Sequence, residues 1–295
     1  MIRSLVLFSL LLQPIGTRVD IGGRSLHIVC MGSGAHTVVM ESGAATAFYE
    51  WWLVQTALAN EMRTCSYDRA GFGWSDPTPS RSVAGYVDDL HELLRRSGAK
   101  PPFILVGHSM GGSFVQRYYW RYPHEIAGLI LVDPANNEAG FTAIPEYKQA
   151  AAEHRVKRTK EMEEWRATNA WPKQTFPSQL PLDLRTRLVE ASASRNWWEA
   201  RFAEGTLPDL VIAMTPQQRA IQVPLVIIAA KWRNPPGWSD EVTARFRKHW
   251  REAQDEIASR SPHAKIVEVD SGHDVPIEAP DVIVNEIRLL ARQVW

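Results

Sequence analysis

The stretch from Phe103 to Phe114, FILVGHSMGGSF, restricts the fold of this chain more than any other. Its first four residues form a short, continuously apolar run, as in a strand buried on both faces. Behind it Phe114, Tyr118 and Tyr122 recur at every fourth position and Pro123 ends the pattern, so a helix follows. The chain therefore turns from strand into helix within Gly107-His108-Ser109-Met110-Gly111-Gly112. A turn that tight crowds its own backbone, which predicts that Gly107 and Gly111 sit where a Cβ has no room. Gly112 then lets the helix lie close to the sheet. Ser109 stands at a helix N-terminus, where unpaired N–H groups and the helix dipole favour negative charge. A serine serving only as a helix cap would satisfy the same local rule, so the rest of the chain has to decide.

From about Val19 onward, short apolar runs alternate with helical periods, the pattern of a mostly parallel sheet with helices on both faces. The strands read as SLHIVCM, HTVVME, RTCSYD, FILVG, LILVD, PLVIIAA and KIVEV. Val83, Tyr86, Val87, Leu90, Leu93 and Leu94 form one apolar helical stripe, closed by Gly98. Pro280 opens a last helix whose buried face is Ile283, Ile287, Leu290 and Val294. Residues 135–222 break the rhythm. They offer no buried strand but several helical stretches, among them EYKQAAAEHRVKRTKEMEEW, whose charges read as a solvated face. The expected organisation is an apolar N-terminal segment (1–16), an α/β core (17–134 and 223–295) and a helical insertion (135–222) over one edge of the sheet.

Charge and composition exclude several classes. The 33 basic residues balance 33 acidic ones, so the chain has no electrostatic footprint for nucleic acid. Its only long apolar N-terminal run, Leu5 to Leu12, is too short to span a bilayer. That run fits either a short signal segment or an apolar tail, which leaves export and the cytoplasm both open. HELLR from His91 lacks the second histidine of a zinc motif, because Arg95 stands there, and no cofactor or metal is expected. Cys30 and Cys65, the only two cysteines, both fall in strands and read as two buried thiols. Of the twelve tryptophans, Trp165, Trp171, Trp197 and Trp198 lie in the insertion, where they either pack or line an apolar pocket.

A serine hydroxyl becomes a nucleophile only when a base takes its proton. Of nine histidines the best placed is His273, in VDSGHDVPIEAP, just after the last strand and before the last helix. A loop at that end of a strand is where open α/β sheets meet ligands. His108 is adjacent to Ser109, so its ring points elsewhere.

With these residues in place the chain resembles the α/β-hydrolase superfamily from about Val19 to the C-terminus, apart from the insertion. GHSMGG is similar to the family's nucleophile elbow. YDRAGFGWSD is similar to the loop after its fourth strand, and SGHDVPIEAP to its histidine loop. The resemblance implies eight strands, a helical lid between strands six and seven, and the chain order serine, acid, histidine. It further implies hydrolysis of esters or other acyl substrates, as in lidded bacterial serine hydrolases and esterases. Serine at the elbow argues against dehalogenase and epoxide-hydrolase chemistry, since those relatives use aspartate there.

Two departures from the family pattern matter. Where many members have His-Gly after strand three, this chain has Ser42-Gly43, so the expected oxyanion donors are the backbone N–H groups of Ala44 and Met110. Glu41 just before them is expected to be buried and paired with Arg69. The second departure concerns the acid. The family's usual aspartate after strand seven is replaced by Arg233 and Asn234. Asp133, at the end of strand six, is the favoured acid. Asp240 is the alternative, and Glu138 and Asp270 remain open. The expected function is cleavage of a small apolar ester through an acyl-enzyme on Ser109. The alternatives are a small-molecule receptor with little turnover, or another reaction on the same fold: peptidase, lactonase, carbon–carbon hydrolase or haloperoxidase.

Overall fold

The apolar runs assemble into one eight-stranded sheet: β1 (Thr17–Asp20), β2 (Ser25–Met31), β3 (Thr37–Glu41), β4 (Arg63–Tyr67), β5 (Phe103–His108), β6 (Ile126–Val132), β7 (Leu225–Ala230) and β8 (Ala264–Val269). Their spatial order is β1-β2-β4-β3-β5-β6-β7-β8. The β1–β2 and β2–β4 pairs are antiparallel and the remaining pairs are parallel. The computed structural model describes residues 14–79, 81–134, 144–205, 219–232 and 238–295. The N-terminal apolar run and Glu138 lie outside them.

Side chains alternate across the sheet, so each strand serves two cores. Phe103 and Leu105 face helices α2 (Val83–Arg96) and α3 (Met110–Arg121). Ile104 and Val106 face α1 (Trp52–Leu58) and, after the insertion, α8 (Pro280–Val294). The predicted stripe of α2 is buried throughout, its Ser82 hydroxyl accepts from the Gly85 N–H, and Gly98 follows with φ +73°. The edge strand β1, TRVD, has no apolar run and stays largely exposed, so periodicity alone did not reveal it.

Between β6 and β7 stand α4 (Pro145–Thr168), α5 (Leu182–Ser192) and α6 (Arg195–Glu204). Helix α4 buries only Met162, in keeping with a solvated charge run. The three helices share a core of Met162, Leu184, Leu188, Trp197 and Trp198 that continues into Phe48, Tyr49 and Phe72 of the α/β body. Each large apolar side chain buried there contributes roughly 1.5–3 kcal/mol. Trp197 and Trp198 therefore pack, with Trp165 set edge-on against Trp198 at 4.8 Å.

One expectation is overturned. Cys30 and Cys65 are not two buried thiols but a disulfide. The antiparallel register of β2 and β4 sets Cys30 directly opposite Cys65, with Cα atoms 4.1 Å apart, and Cys30 is exposed. Their separation of 35 residues hides this, because strand order rather than spacing brings them together. No helix among the described residues is long and apolar enough to cross a membrane.

Candidate active site

The topology reverses direction at β3 and β5, which places a crevice at their carboxyl ends. Register then aligns the loops that follow each strand. Glu41 of β3 pairs with Gly107 of β5, His108 of β5 with Val132 of β6, and Ala230 of β7 with Val269 of β8. Ser109, Asp133 and His273 therefore emerge on one rim although 164 residues separate the first from the last.

Ser109 adopts φ 51° and ψ −120°, a conformation costly for a residue with a Cβ. The glycines around it make room. A Cβ on Gly107 would lie 2.5 Å from the Gly111 carbonyl oxygen, and one on Gly111 would lie 2.5 Å from that of Glu41. The Ser109 N–H donates to the Val132 carbonyl at 2.9 Å, which pins the turn to β6. Its side chain is left at the first turn of α3, 2.9 Å from His273 Nε2.

The other ring nitrogen of His273, Nδ1, lies 2.6 Å from Asp133 Oδ2. Asp133 is fully buried, and four further donors satisfy its carboxylate: Trp232 Nε1 at 2.8 Å, Trp250 Nε1 at 2.7 Å, Gln254 Nε2 at 2.9 Å and the Ala230 N–H at 3.2 Å. Such a set satisfies the buried carboxylate and holds it in one orientation. The Trp232 and Trp250 rings also flank the His273 ring, at 4.9 and 5.3 Å between centroids. Asp240, the alternative acid, lies on the exposed first turn of α7 (Asp240–Ala258), and Asp270 is exposed beyond β8. The structure brings neither to His273.

The loop after β3 is held by carboxylates. The Gly43 N–H donates to Glu50 at 2.8 Å and the Ala45 N–H to Glu204 at 2.7 Å. The Ala44 N–H between them makes no hydrogen bond among the described residues. Met110 opens α3, where a backbone N–H has no intrahelical acceptor. Below the loop, Arg69 Nη1 donates to Glu41 at 2.6 Å and to the Ser42 carbonyl at 2.8 Å, as the expected Glu41–Arg69 pairing requires. Arg69 Nε donates to Glu204 at 2.6 Å. Burial pushes the Glu41 carboxyl up, opposed by Arg69 and by the Tyr67 hydroxyl that donates to it. Within YDRAGFGWSD, Asp68 accepts from the Phe48 and Trp74 N–H groups and pairs with His27, and Gly73 (φ +48°) leaves room for it.

His108 points away from Ser109. Its Nδ1 lies 2.8 Å from Glu50, and its Nε2–H donates to the His273 carbonyl at 2.8 Å. Burial alone would lower its pKa, but the Glu50 charge and hydrogen bond outweigh that and raise it to about 8. Glu50 thereby supports both the Gly43 loop and, through His108, the His273 loop.

The arrangement can move a proton from a hydroxyl to an imidazole backed by a buried carboxylate, beside free backbone N–H groups. The model of the alpha/beta hydrolase family matches residues 27–286. This chain belongs to the alpha/beta hydrolase family. Among curated relatives of this chain, the lipase LipV of Mycobacterium tuberculosis is 26% identical over 242 residues, which cover 77% of this chain and 83% of the lipase. The uncharacterised protein YbdG of Bacillus subtilis (strain 168) is 34% identical, over 42% of this chain and 39% of its own length. The match to a second uncharacterised protein of that species, YqjL, likewise spans less than half of that relative, 46%. Solved structures share the fold. An esterase of Thermogutta terrifontis superposes with a TM-score of 0.61 at 22% identity, covering 94% of this chain and 98% of its own. The enol-lactonase of Burkholderia xenovorans LB400 gives 0.62 at 19%, covering 94% and 100%.

The sequence does not single out Glu50, Glu204, Trp232, Trp250 or Gln254. Glu50 left a signal, a lone acid within the aromatic run FYEWW. Glu204 and the Asp133 donors left none, since each acts on a residue about a hundred positions or more away.

Proposed function

We propose that this alpha/beta hydrolase cleaves carboxylic esters of a small substrate through an acyl-enzyme on Ser109. The observation that carries this reading is the continuous hydrogen-bonded line from Ser109 Oγ to His273 Nε2 (2.9 Å) and from His273 Nδ1 to Asp133 Oδ2 (2.6 Å). In the first half-reaction Ser109 Oγ attacks the ester carbonyl carbon while His273 Nε2 takes the hydroxyl proton. The buried Asp133 carboxylate keeps the ring in the Nδ1–H tautomer and stabilises the imidazolium that forms. The carbonyl oxygen becomes an oxyanion, which the Ala44 and Met110 N–H groups receive. Removing one donor of this kind typically costs about 10²–10³ in kcat. His273 then protonates the departing alkoxide, the C–O bond breaks, and water releases the acyl group by the same steps in reverse. Helices α4–α6 act as a lid that limits substrate size and excludes water.

The Asp133–His273 contact also supports turnover over a silent receptor, because it gives the base the carboxylate that Arg233 and Asn234 cannot supply. A panel of 4-nitrophenyl esters and 4-nitroanilides, with Ser109→Ala as the blank, tests the reading. Ester turnover that falls at least about 10⁴-fold in the blank is expected. Ester turnover that persists in Ser109→Ala, or hydrolysis of the anilides alone, would overturn it.

A further inference from the structure

A cavity of ≈ 460 Å³ opens between the loop that carries Ala44 and Ala45 and the facing sides of α4 and α6. Its size suits one small ligand. Its chemistry is uneven. Tyr147, Ala150, His154, Arg155 and Arg158 of α4 all line it at helical spacing, so one face of the charged helix borders the cavity, with Tyr147 and Arg158 half-buried and the other three exposed. Arg201 of α6 completes a cluster of three guanidiniums and one imidazole.

The carboxylates nearby offset this cluster only in part. Glu204 lines the cavity, but both its oxygens are engaged, Oε1 by Arg69 and Oε2 by Arg69 and the Ala45 N–H. Glu161 reaches Arg158 only at 3.5 Å from a partly exposed position, and it also faces Lys157 at 3.9 Å. Arg201 has no carboxylate within 4.0 Å among the described residues. Its Nη1 donates instead to the Ala45 carbonyl at 2.7 Å and to Gln174 at 3.1 Å. Both Arg158 and Arg201 lie over Trp198, at 5.4 and 5.7 Å from its ring centroid. Stacking fixes the planes of the two guanidiniums and leaves their edges as donors. Burial lowers the Arg201 pKa, and the Arg158 charge adds to this against the opposing influence of Tyr49 and Glu204. Cations so arranged, beside the loop proposed to bind the oxyanion, fit an anionic group on the ligand.

We propose that this cavity is a carboxylate subsite, so that the substrate is a small ester with an apolar body and one free carboxylate. This rests on the ester-hydrolase reading of Ser109 and adds the substrate class. The apolar body would lie against Tyr147, Phe202 and Trp238, which share the cavity. The carboxylate would receive the outward edges of Arg158 and Arg201.

Two matched ester pairs test the proposal: mono-4-nitrophenyl succinate against 4-nitrophenyl butyrate, and 4-carboxyphenyl acetate against phenyl acetate. The first pair carries the charge on the acyl side, the second on the leaving group. Binding to the Ser109→Ala protein is measured by titration calorimetry and turnover with the wild type. In at least one pair the anionic ester is expected to bind about tenfold or more tightly, with the gain falling as salt rises. The preference should drop about tenfold in Arg158→Gln and be largely kept in Arg158→Lys. Equal affinity within both pairs, or a preference untouched by Arg158→Gln, would overturn the subsite. Because binding is read without turnover, the two readings fail separately. Hydrolysis without anion preference removes only the subsite, and anion preference without hydrolysis removes only the esterase.

Discussion

His273 and His108 have almost the same partner and opposite uses. Each sets its Nδ1 against a buried carboxylate, Asp133 at 2.6 Å and Glu50 at 2.8 Å, and the two rings lie 4.8 Å apart. They differ at Nε2. That of His273 faces a serine hydroxyl and its ring is 28% exposed; that of His108 is spent on the His273 carbonyl and its ring is 2% exposed. A carboxylate partner therefore does not make a histidine a base. What distinguishes the proposed base is a nitrogen left open toward a group that can give up a proton.

The largest effect separating the two belongs to His273 itself. His273→Ala should lower kcat about 10⁴-fold or more and leave the unfolding transition nearly in place. His108→Ala should do the reverse in kind, leaving Glu50 buried without its cation and costing about 3–5 kcal/mol by chemical denaturation. Loss of turnover in folded His108→Ala as deep as in His273→Ala would break the contrast.

The next effect separates carboxylates. Asp133→Asn should cost about 10³–10⁴ in kcat, because an amide cannot stabilise the imidazolium. Asp240→Asn should stay within about twofold. Near-normal turnover in Asp133→Asn, with loss in Asp240→Asn, would reassign the acid.

A smaller effect is read from stability against pH. The folded His108 pKa is about 8, above its ordinary 6.5, so the unfolded ring releases its proton first as pH rises. The pair's contribution is complete below about pH 6.5 and is lost as pH rises through about 8, about 2 kcal/mol in all. In Glu50→Gln that slope should reverse, because burial without an anion favours the neutral ring. An unchanged slope would mean that His108 is not the group titrating. The least effect is expected at His91, which meets Glu125 at 3.2 Å and stacks on Tyr122 far from Ser109 in the fold. His91→Gln should leave kcat within about twofold and cost about 0–1 kcal/mol.

How much of this was legible follows from the range of the interactions. The strands and the elbow are local: an apolar run, a glycine-rich turn and a helical stripe lie within FILVGHSMGGSF and its neighbours. His273 was readable because a loop after the last strand has few places to go. The acid was legible only as a preference for Asp133, since Asp240, Glu138 and Asp270 also follow or flank strands. Only the spatial order of β6, β7 and β8 sets Asp133 under His273. The donors that make Asp133 suitable arrive from 97 to 121 residues later in the chain. The disulfide was hidden for the same reason, being a consequence of which strands pair. The insertion tryptophans were ambiguous because packing and pocket lining demand the same residue type. The cavity beside the Ala44 loop is instead lined by arginines that read as a solvated charge run.

The central claim is that Ser109 is the nucleophile and His273 its base. Intact-mass and peptide mass spectrometry after reaction with a fluorophosphonate tests it most directly. One adduct per chain is predicted, on the peptide containing Ser109, with none in Ser109→Ala and strongly slowed formation in His273→Ala. Labelling that persists in Ser109→Ala, or an adduct carried by another residue of the wild type, would contradict it.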